Sequence, residues 1–366
     1  MDRFLLPFLR LWQQPLPDPV ERLQVLLEDV FITEFIRHEG NAILFYGHLR
    51  LDASDVFPLI RHRFEQYGYT PMLRRANGRD LVIAVPGVVE PKPVNIAVNI
   101  LLFLATLGTT MWAGSFLASP PRSPLDIINP LRLLQGLPFA IALLSILGIH
   151  ELGHYVVARY HGVDVTPPYF IPVPFGLGTF GAFIQLRSPV EDRRALFDVG
   201  LAGPVAGFVV AVPFMALGLS LSQVTTRLPN IQVLHAPLLM RWMADLIQPH
   251  GPGEVLRLHP IALAAYIGLW VTAMNLLPVG QLDGGHVAYS VFGSRFRYVA
   301  WATLAAMIFL GMTVWSGWYF WAAFVALVGV DHAPPLNDIT TLDRKRYVAF
   351  LFAVVLFIIT FVPRPF

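Results

Sequence analysis

From Val94 onward the chain alternates long apolar runs with short polar ones, whereas before it apolar and charged residues are mixed position by position. A membrane-crossing helix needs ~20 consecutive, mostly apolar residues. Runs of that kind extend from Val94 to about Leu117, Leu133 to about Tyr160, Ala195 to Leu221, Pro260 to Leu277 and Tyr298 to about Trp315. Trp318 to Val330 and Tyr347 to Val362 are shorter runs of the same character. The pattern predicts a polytopic α-helical membrane protein of about 6–7 transmembrane helices.

The first stretch has a different texture. Leu23, Leu26, Leu27 and Val30 recur at helical spacing between Val20 and Ile32. Ala42–Leu49 reads as a strand, and Asp52 or Ser54 caps a helix that runs to about Tyr67 and closes at Gly68. Thr70–Arg75 and Leu81–Val85 flank Asn77-Gly78, a strong hairpin-turn signal. Residues 1–90 are therefore expected to form a small soluble α+β domain, and residues 91–366 the transmembrane domain, with its core at 95–335. Pro86-Gly87 and Pro91-Lys92-Pro93 read as the linker. A passive extension and a regulatory or substrate-recruiting role both remain open for the first domain.

Composition sharpens the class. Of 366 residues, 55% are hydrophobic and 14% charged, against about 25% charged in soluble domains; mean hydropathy is +0.58. A net charge of +2, without basic runs interleaved with aromatics, argues against nucleic acid as a partner. There is no cysteine, so any metal must be held by His, Asp or Glu. Met1–Pro7 lacks the apolar core and cleavage site of a signal peptide and is not Ser-rich like a transit peptide. Arg159, Arg187, Arg193, Arg194, Arg295, Arg297, Arg344, Lys345 and Arg346 fall on one side of the bilayer; Arg122, Arg132, Arg227, Arg241, Arg257 and Arg364 fall on the other. The modest excess favours a cytoplasmic N-terminus. A prokaryotic plasma membrane is the preferred location, with a plastid membrane as the alternative.

Inside the second run stands His150-Glu151-Leu152-Gly153-His154, or H-E-x-x-H. Residues four apart share a helix face, so both imidazoles can bind one Zn²⁺ while the Glu reaches an attacking water. Ionisable groups are costly at membrane depth, which makes this cluster a functional candidate. Catalytic zinc usually takes three protein ligands. Asp283, in Asn275-Leu276-Leu277-Pro278-Val279-Gly280-Gln281-Leu282-Asp283-Gly284-Gly285-His286, is the best third, because Pro278 and the glycines allow a bend that aims it inward. Asn275 offers a neutral amide for substrate or a developing oxyanion. His286 reads as a neighbour of the site or an interfacial residue, His332 as a loop residue in preference to a neighbour of the site, and His161 as a membrane-surface residue.

Two further stretches bear on this site. Thr166–Gly176 is apolar but too rich in proline for a helix, and Thr179–Leu186 looks like a strand. Non-helical backbone near a membrane must be buried in protein or line a wet cavity, so this segment is a candidate cavity wall. Gly200, Gly203, Pro204 and Gly207 mark close helix packing in the third run.

These motifs resemble the site-2 proteases, zinc metalloproteases that cut within membranes. The resemblance rests on His150-Glu151-x-x-His154 in a span, Asn275-x-x-Pro278-x-x-x-Leu282-Asp283-Gly284 downstream, and Gly200-x-x-Gly203-Pro204 between them. Pro167–Pro172 and Gly178–Phe183 look closest to the photosynthetic and bacterial branch, which includes the plastid proteins named for ethylene-dependent gravitropism deficiency and yellow-green leaves. It implies one Zn²⁺ per chain held by His150, His154 and Asp283, Glu151 as catalytic base, Asn275 assisting, and single-span membrane proteins in the lipid bilayer as substrates in regulated intramembrane proteolysis. An extended substrate is expected to add to the strand at Thr179–Leu186, with Phe180 and Phe183 as substrate-binding residues. Many bacterial members carry a PDZ domain in a loop; Gln223–Leu258 is too short for one and lacks its strands. The nucleotide-binding regulatory pair that others carry is likewise not expected.

Two rivals stand beside this reading. A di-iron desaturase or hydroxylase needs several His boxes, and only His150 and His154 have ligand spacing. A proteolytically inert relative acting as a membrane chaperone or transporter is disfavoured by the presence of Glu151 with all three candidate ligands.

Overall fold

The computed structural model describes residues 18–89, 93–119, 130–226, 234–251 and 253–365. Met1–Pro7, Pro91-Lys92 and nearly all of the polar stretch between the first two runs lie outside the described residues. The chain divides into two compact units, and it leaves the second after Ala333 to contribute Pro334–Thr341 to the first.

The N-terminal unit orders α1 (Pro19–Val25), β1 (Phe31–Glu39), β2 (Ala42–Leu49), α2 (Ala53–Glu65), β3 (Tyr69–Ala76) and β4 (Arg79–Pro86). Its antiparallel sheet runs β1-β2-β4-β3. Asn77 and Gly78 both take positive φ, 52° and 79°, as the two-residue turn joining β3 to β4 requires. The Asp52 carboxylate accepts from the Ser54 N–H at 2.9 Å and caps α2. Leu23, Leu27, Phe31, Phe45, Val56, Phe57, Ile60, Phe64, Leu73 and Val82 form the core, completed by Leu336.

Two expectations for this unit need correction. The helix that starts near Val20 stops at Val25, and Phe31 and Ile32 belong to β1. Arg63 on α2 donates to the Leu26 carbonyl at 2.7 Å and pairs with Asp29 at 2.6 Å, so the helix end is tied down before the chain turns into the sheet. The same guanidinium holds the Asp29 carboxyl below the usual carboxylate range. Secondly, Pro334–Thr341 adds to the edge of β3: the Leu73 N–H donates to Leu336 O at 2.8 Å, and Asp338 N–H donates to Leu73 O at 3.0 Å.

The second unit begins with α3 (Ile96–Ala118), α4 (Pro130–Gln135), α5 (Leu137–Tyr160), β5 (Tyr169–Pro172), β6 (Thr179–Phe183) and α6 (Arg193–Ser220). It continues with β7 (Gln223–Thr226), α7 (Leu238–Ile247), β8 (Glu254–Arg257), α8 (Pro260–Asn275) and α9 (Asp283–Phe292), and ends with α10 (Phe296–Thr313), α11 (Gly317–Val328) and α12 (Arg344–Thr360). Four helices among the described residues are long and apolar enough to cross a membrane: α3, α5, α6 and the continuous run Asp283–Thr313 formed by α9 and α10. This is a membrane protein with a small N-terminal β-sheet domain.

The second apolar run is not one helix: Gly136 breaks it into α4 and α5, and a side chain there would collide with the Met111 carbonyl of α3. The connection after α6 is not strandless either, because β7 and β8 pair over Gln223–Thr226 and Glu254–Arg257. Helix α8 is buried on all sides, from Ala262 to Met274, as an all-apolar helix in a core must be. It packs with α5 and α6 through Phe139, Leu143, Ile146, Ala211, Met215, Tyr266 and Leu269. At the start of α6, Asp198 accepts from Arg346 of α12 (Nε–Oδ1 2.8 Å) and meets His161 Nε2 at 2.9 Å, joining three elements.

Candidate metal centre

His150 and His154 lie one turn apart on α5, on its inward face, with relative exposures of 4% and 6%. The Nδ1–H of His154 donates to the Val199 carbonyl of α6 at 2.7 Å. That bond fixes the tautomer and leaves the Nε2 lone pair directed into the site. Asp283 opens α9. The two glycines behind it are there for space: a side chain on Gly284 would meet the carbonyls of Leu276 and Leu277, and one on Gly285 those of Val279 and Gly280. The turn at 276–280 can therefore fold tightly against α9 and aim its first residue at α5.

The donors converge. His150 Nε2 lies 3.2 Å from His154 Nε2 and 3.2 Å from Asp283 Oδ2, and His154 Nε2 lies 3.3 Å from Asp283 Oδ1. Ligands at ~2.0–2.1 Å from a tetrahedral zinc stand roughly 3.3–3.4 Å apart. Two imidazoles and a carboxylate at this spacing fit zinc in both chemistry and size. Among the described residues this is the one group of three His, Asp or Glu side chains so arranged.

Two more groups border the donors. The Asn275 amide Nδ2 is 3.3 Å from His150 Nε2. Glu151 is 7% exposed; its carboxylate lies within electrostatic reach of His154 and Asp283 and meets the backbone N–H of Ile184, just after β6. Gly200, Gly203 and Gly207 of α6 bring that helix onto the site. A side chain on Gly203 would overlap the His154 ring, and one on Gly200 would lie 2.7 Å from His286 Cβ.

Comparison with known proteins agrees with this geometry. The family model described as peptidase family M50 matches residues 138–315, a range that holds every one of these side chains. This stretch is a peptidase family M50 domain. Similar proteins include the chloroplastic probable zinc metalloprotease EGY2 of Arabidopsis thaliana, 27% identical over 368 residues (95% of this chain and 66% of that protein). The chloroplastic probable zinc metalloprotease EGY1 of the same plant is 30% identical over 371 residues, covering 88% and 66%. The rice (Oryza sativa subsp. indica) chloroplastic probable zinc metalloprotease EGY3 is 24% identical over 372 residues, covering 92% and 62%. The chain thus spans just under two thirds of the length of these relatives.

Within this domain the proline-rich stretch carries a hairpin. β5 pairs with β6 through Tyr169–Phe183, Phe170–Ala182 and Pro172–Thr179. Helix α3 holds it: Asn99 Nδ2 donates to the carbonyls of Pro167 and Pro168 at 3.0 Å each, and Thr109 Oγ1 donates to Gly178 O at 2.6 Å. Phe180 and Phe183 are 72% and 47% exposed, so they stand on the hairpin surface and not among the buried donors. A groove of ≈ 980 Å³ runs along the other face of α5, lined by Leu152, Val156, Leu201 and Arg346 and by none of the donors.

His286 and His332, which sequence left at the margins, meet at 2.5 Å (Nδ1 to Nε2). Burial, then the neighbouring His286, push the His332 imidazole down to about 3, so it is uncharged in the fold. Sequence reading also passed over Val199 and Ile184. Both act through backbone groups, which carry no residue-type signal.

Proposed function

We propose that this chain hydrolyses peptide bonds within or next to transmembrane segments of membrane proteins, as in regulated intramembrane proteolysis. The observation that carries this reading is the convergence of His150, His154 and Asp283 at 3.2–3.3 Å beside a buried Glu151, on a helix long and apolar enough to cross a membrane. His150, His154 and Asp283 are the proposed ligands of one zinc ion. Bound there, zinc would supply Lewis acidity that lowers the pKa of water and polarises the scissile carbonyl.

The chain's own groups would do the rest. Glu151 takes the proton of the attacking water and returns it to the leaving amine. Its burial excludes competing solvent, and the Ile184 N–H orients the carboxylate. Asn275 donates its amide to the developing oxyanion. The Val199 carbonyl keeps the His154 ring in one orientation. A helical substrate hides its peptide bonds, so it must unwind locally. Among the described residues β6 pairs only with β5, and its other edge is offered to an extended substrate by strand addition. Phe180 and Phe183 take its side chains.

The four long helices, with α8, α11 and α12, give six or seven spans, the N-terminus on the cytoplasmic side. The arginines that set this orientation are those around α5, α6 and α12. A prokaryotic plasma membrane is the proposed location, with a plastid membrane, as in the relatives, as the alternative. The test is Glu151→Gln in purified full-length protein with a co-expressed single-span substrate. Zinc content equal to the parent's and lost cleavage support the mechanism; cleavage at the parent's rate refutes it.

A further inference from the structure

We propose that His332 is a positioning residue that locks the first turns of α9 and thereby sets Asp283 against the two histidines; this rests on the reading of Asp283 as a zinc ligand. His286 and Tyr289 follow Asp283 at three-residue steps, so they share a face of α9. His332 takes hold of both. Its Nε2 meets His286 Nδ1 at 2.5 Å, and its ring stacks on Tyr289 with centroids 4.8 Å apart and planes 23° apart. The edge of the ring also meets Phe296, at 6.0 Å.

The backbone around His332 grips the other side of Asp283. The Gly280 N–H donates to Val330 O at 3.0 Å, and the Gln281 amide donates to Asp331 O at 3.3 Å. A side chain on Gly280 would collide with the Gly329 carbonyl, so the two loops touch directly. Residues 330–332 therefore hold positions before and after Asp283, while α6 backs the same helix where Gly200 faces His286. Because His332 is uncharged, its bond to His286 is N–H···N and keeps its strength across the neutral range. His332 touches no donor atom of the centre; it acts through His286. Without its Nε2, His286 would keep a part-buried nitrogen without this partner, and the start of α9 would lose the restraint that fixes a carboxylate where zinc tolerates only small displacements.

The experiment uses full-length protein in detergent. His332→Phe keeps a flat ring on Tyr289 and removes the nitrogen; His332→Gln puts an amide nitrogen near the position of Nε2. Zinc affinity is read by chelator competition, and Co²⁺ substitution reads the ligand field by visible absorption. His332→Phe should weaken zinc on the order of 10–100-fold and shift the Co²⁺ bands, and His332→Gln should restore both to within about threefold. Parent-like affinity and spectrum in His332→Phe, or an equal loss in His332→Gln, overturns the proposal. If His332→Phe is not recovered folded, His286→Leu removes the other end of the bond and must show the same loss; parent-like zinc binding in it is equally decisive against. Asp283→Asn runs in parallel: if it keeps the parent's zinc affinity, the ligand assignment fails, whereas its loss beside an unaffected His332→Phe sinks the positioning role alone.

Discussion

Gly203→Ala places one methyl group against the proposed metal centre. Its Cβ would lie 2.5 Å from His154 Cε1 and closer still to Nε2 and Cδ2. Carbon atoms rest ~3.5–4.0 Å apart, so the overlap is about 1 Å or more. The imidazole cannot simply retreat, because Nδ1 is bonded to the Val199 carbonyl at 2.7 Å and the ring is buried. Overpacking of this kind costs about 1–3 kcal/mol. If the strain falls on His154, zinc affinity drops roughly 5–150-fold, at ~1.4 kcal/mol per tenfold. The assay is chelator competition on the monodisperse fraction of each purified variant, with thermal unfolding alongside. Gly207→Ala, whose Cβ would sit 3.1 Å from His150 Nδ1, should show a smaller loss. Gly108→Ala on α3 meets no atom within 4 Å and should leave zinc unchanged. A folded Gly203→Ala protein that binds zinc as tightly as the Gly108→Ala control would refute this placement of His154.

Asn275→Ala should reduce cleavage about 10²–10³-fold while zinc content stays at the parent's level; turnover and metal analysis of one preparation decide it. Phe180→Ala and Phe183→Ala should impair cleavage of a membrane substrate and leave zinc in place, and undiminished cleavage of every substrate tried would remove them from the substrate path. Leu336→Ala should destabilise the N-terminal unit by about 2–5 kcal/mol, since Leu336 is 3% exposed in its core. Hydrogen exchange at the Leu73 amide, which donates to the Leu336 carbonyl, reads that loss directly.

What could be read from sequence follows from which interactions leave a periodic trace. His150 and His154 share a helix face because a helix repeats every 3.6 residues, and Asn77-Gly78 marks a hairpin because both residues tolerate positive φ. β2, β3 and β4 showed the same way. β1 did not: Phe31–Glu39 carries Glu34, Arg37, His38 and Glu39, and only pairing with β2 makes it a strand. The contribution of Pro334–Thr341 to the distant sheet has no local signal at all. The break at Gly136 escaped because hydropathy averages over a window and does not register where one backbone must pass another. Helix α8 looks like an ordinary span by composition, yet ten of its 16 residues are buried in protein and none is exposed. At the site, glycine spacing on α6 announced close packing, but not that the neighbour was His154.

That His150, His154 and Asp283 jointly hold one zinc is tested most directly by zinc K-edge absorption on purified full-length protein and its Asp283→Ala variant. The predicted result is one zinc per chain, with two imidazole nitrogens and a carboxylate oxygen at ~2.0–2.2 Å, and loss of the carboxylate and most of the metal in the variant. A parent free of zinc, or a variant with unchanged zinc content and first shell, would contradict it.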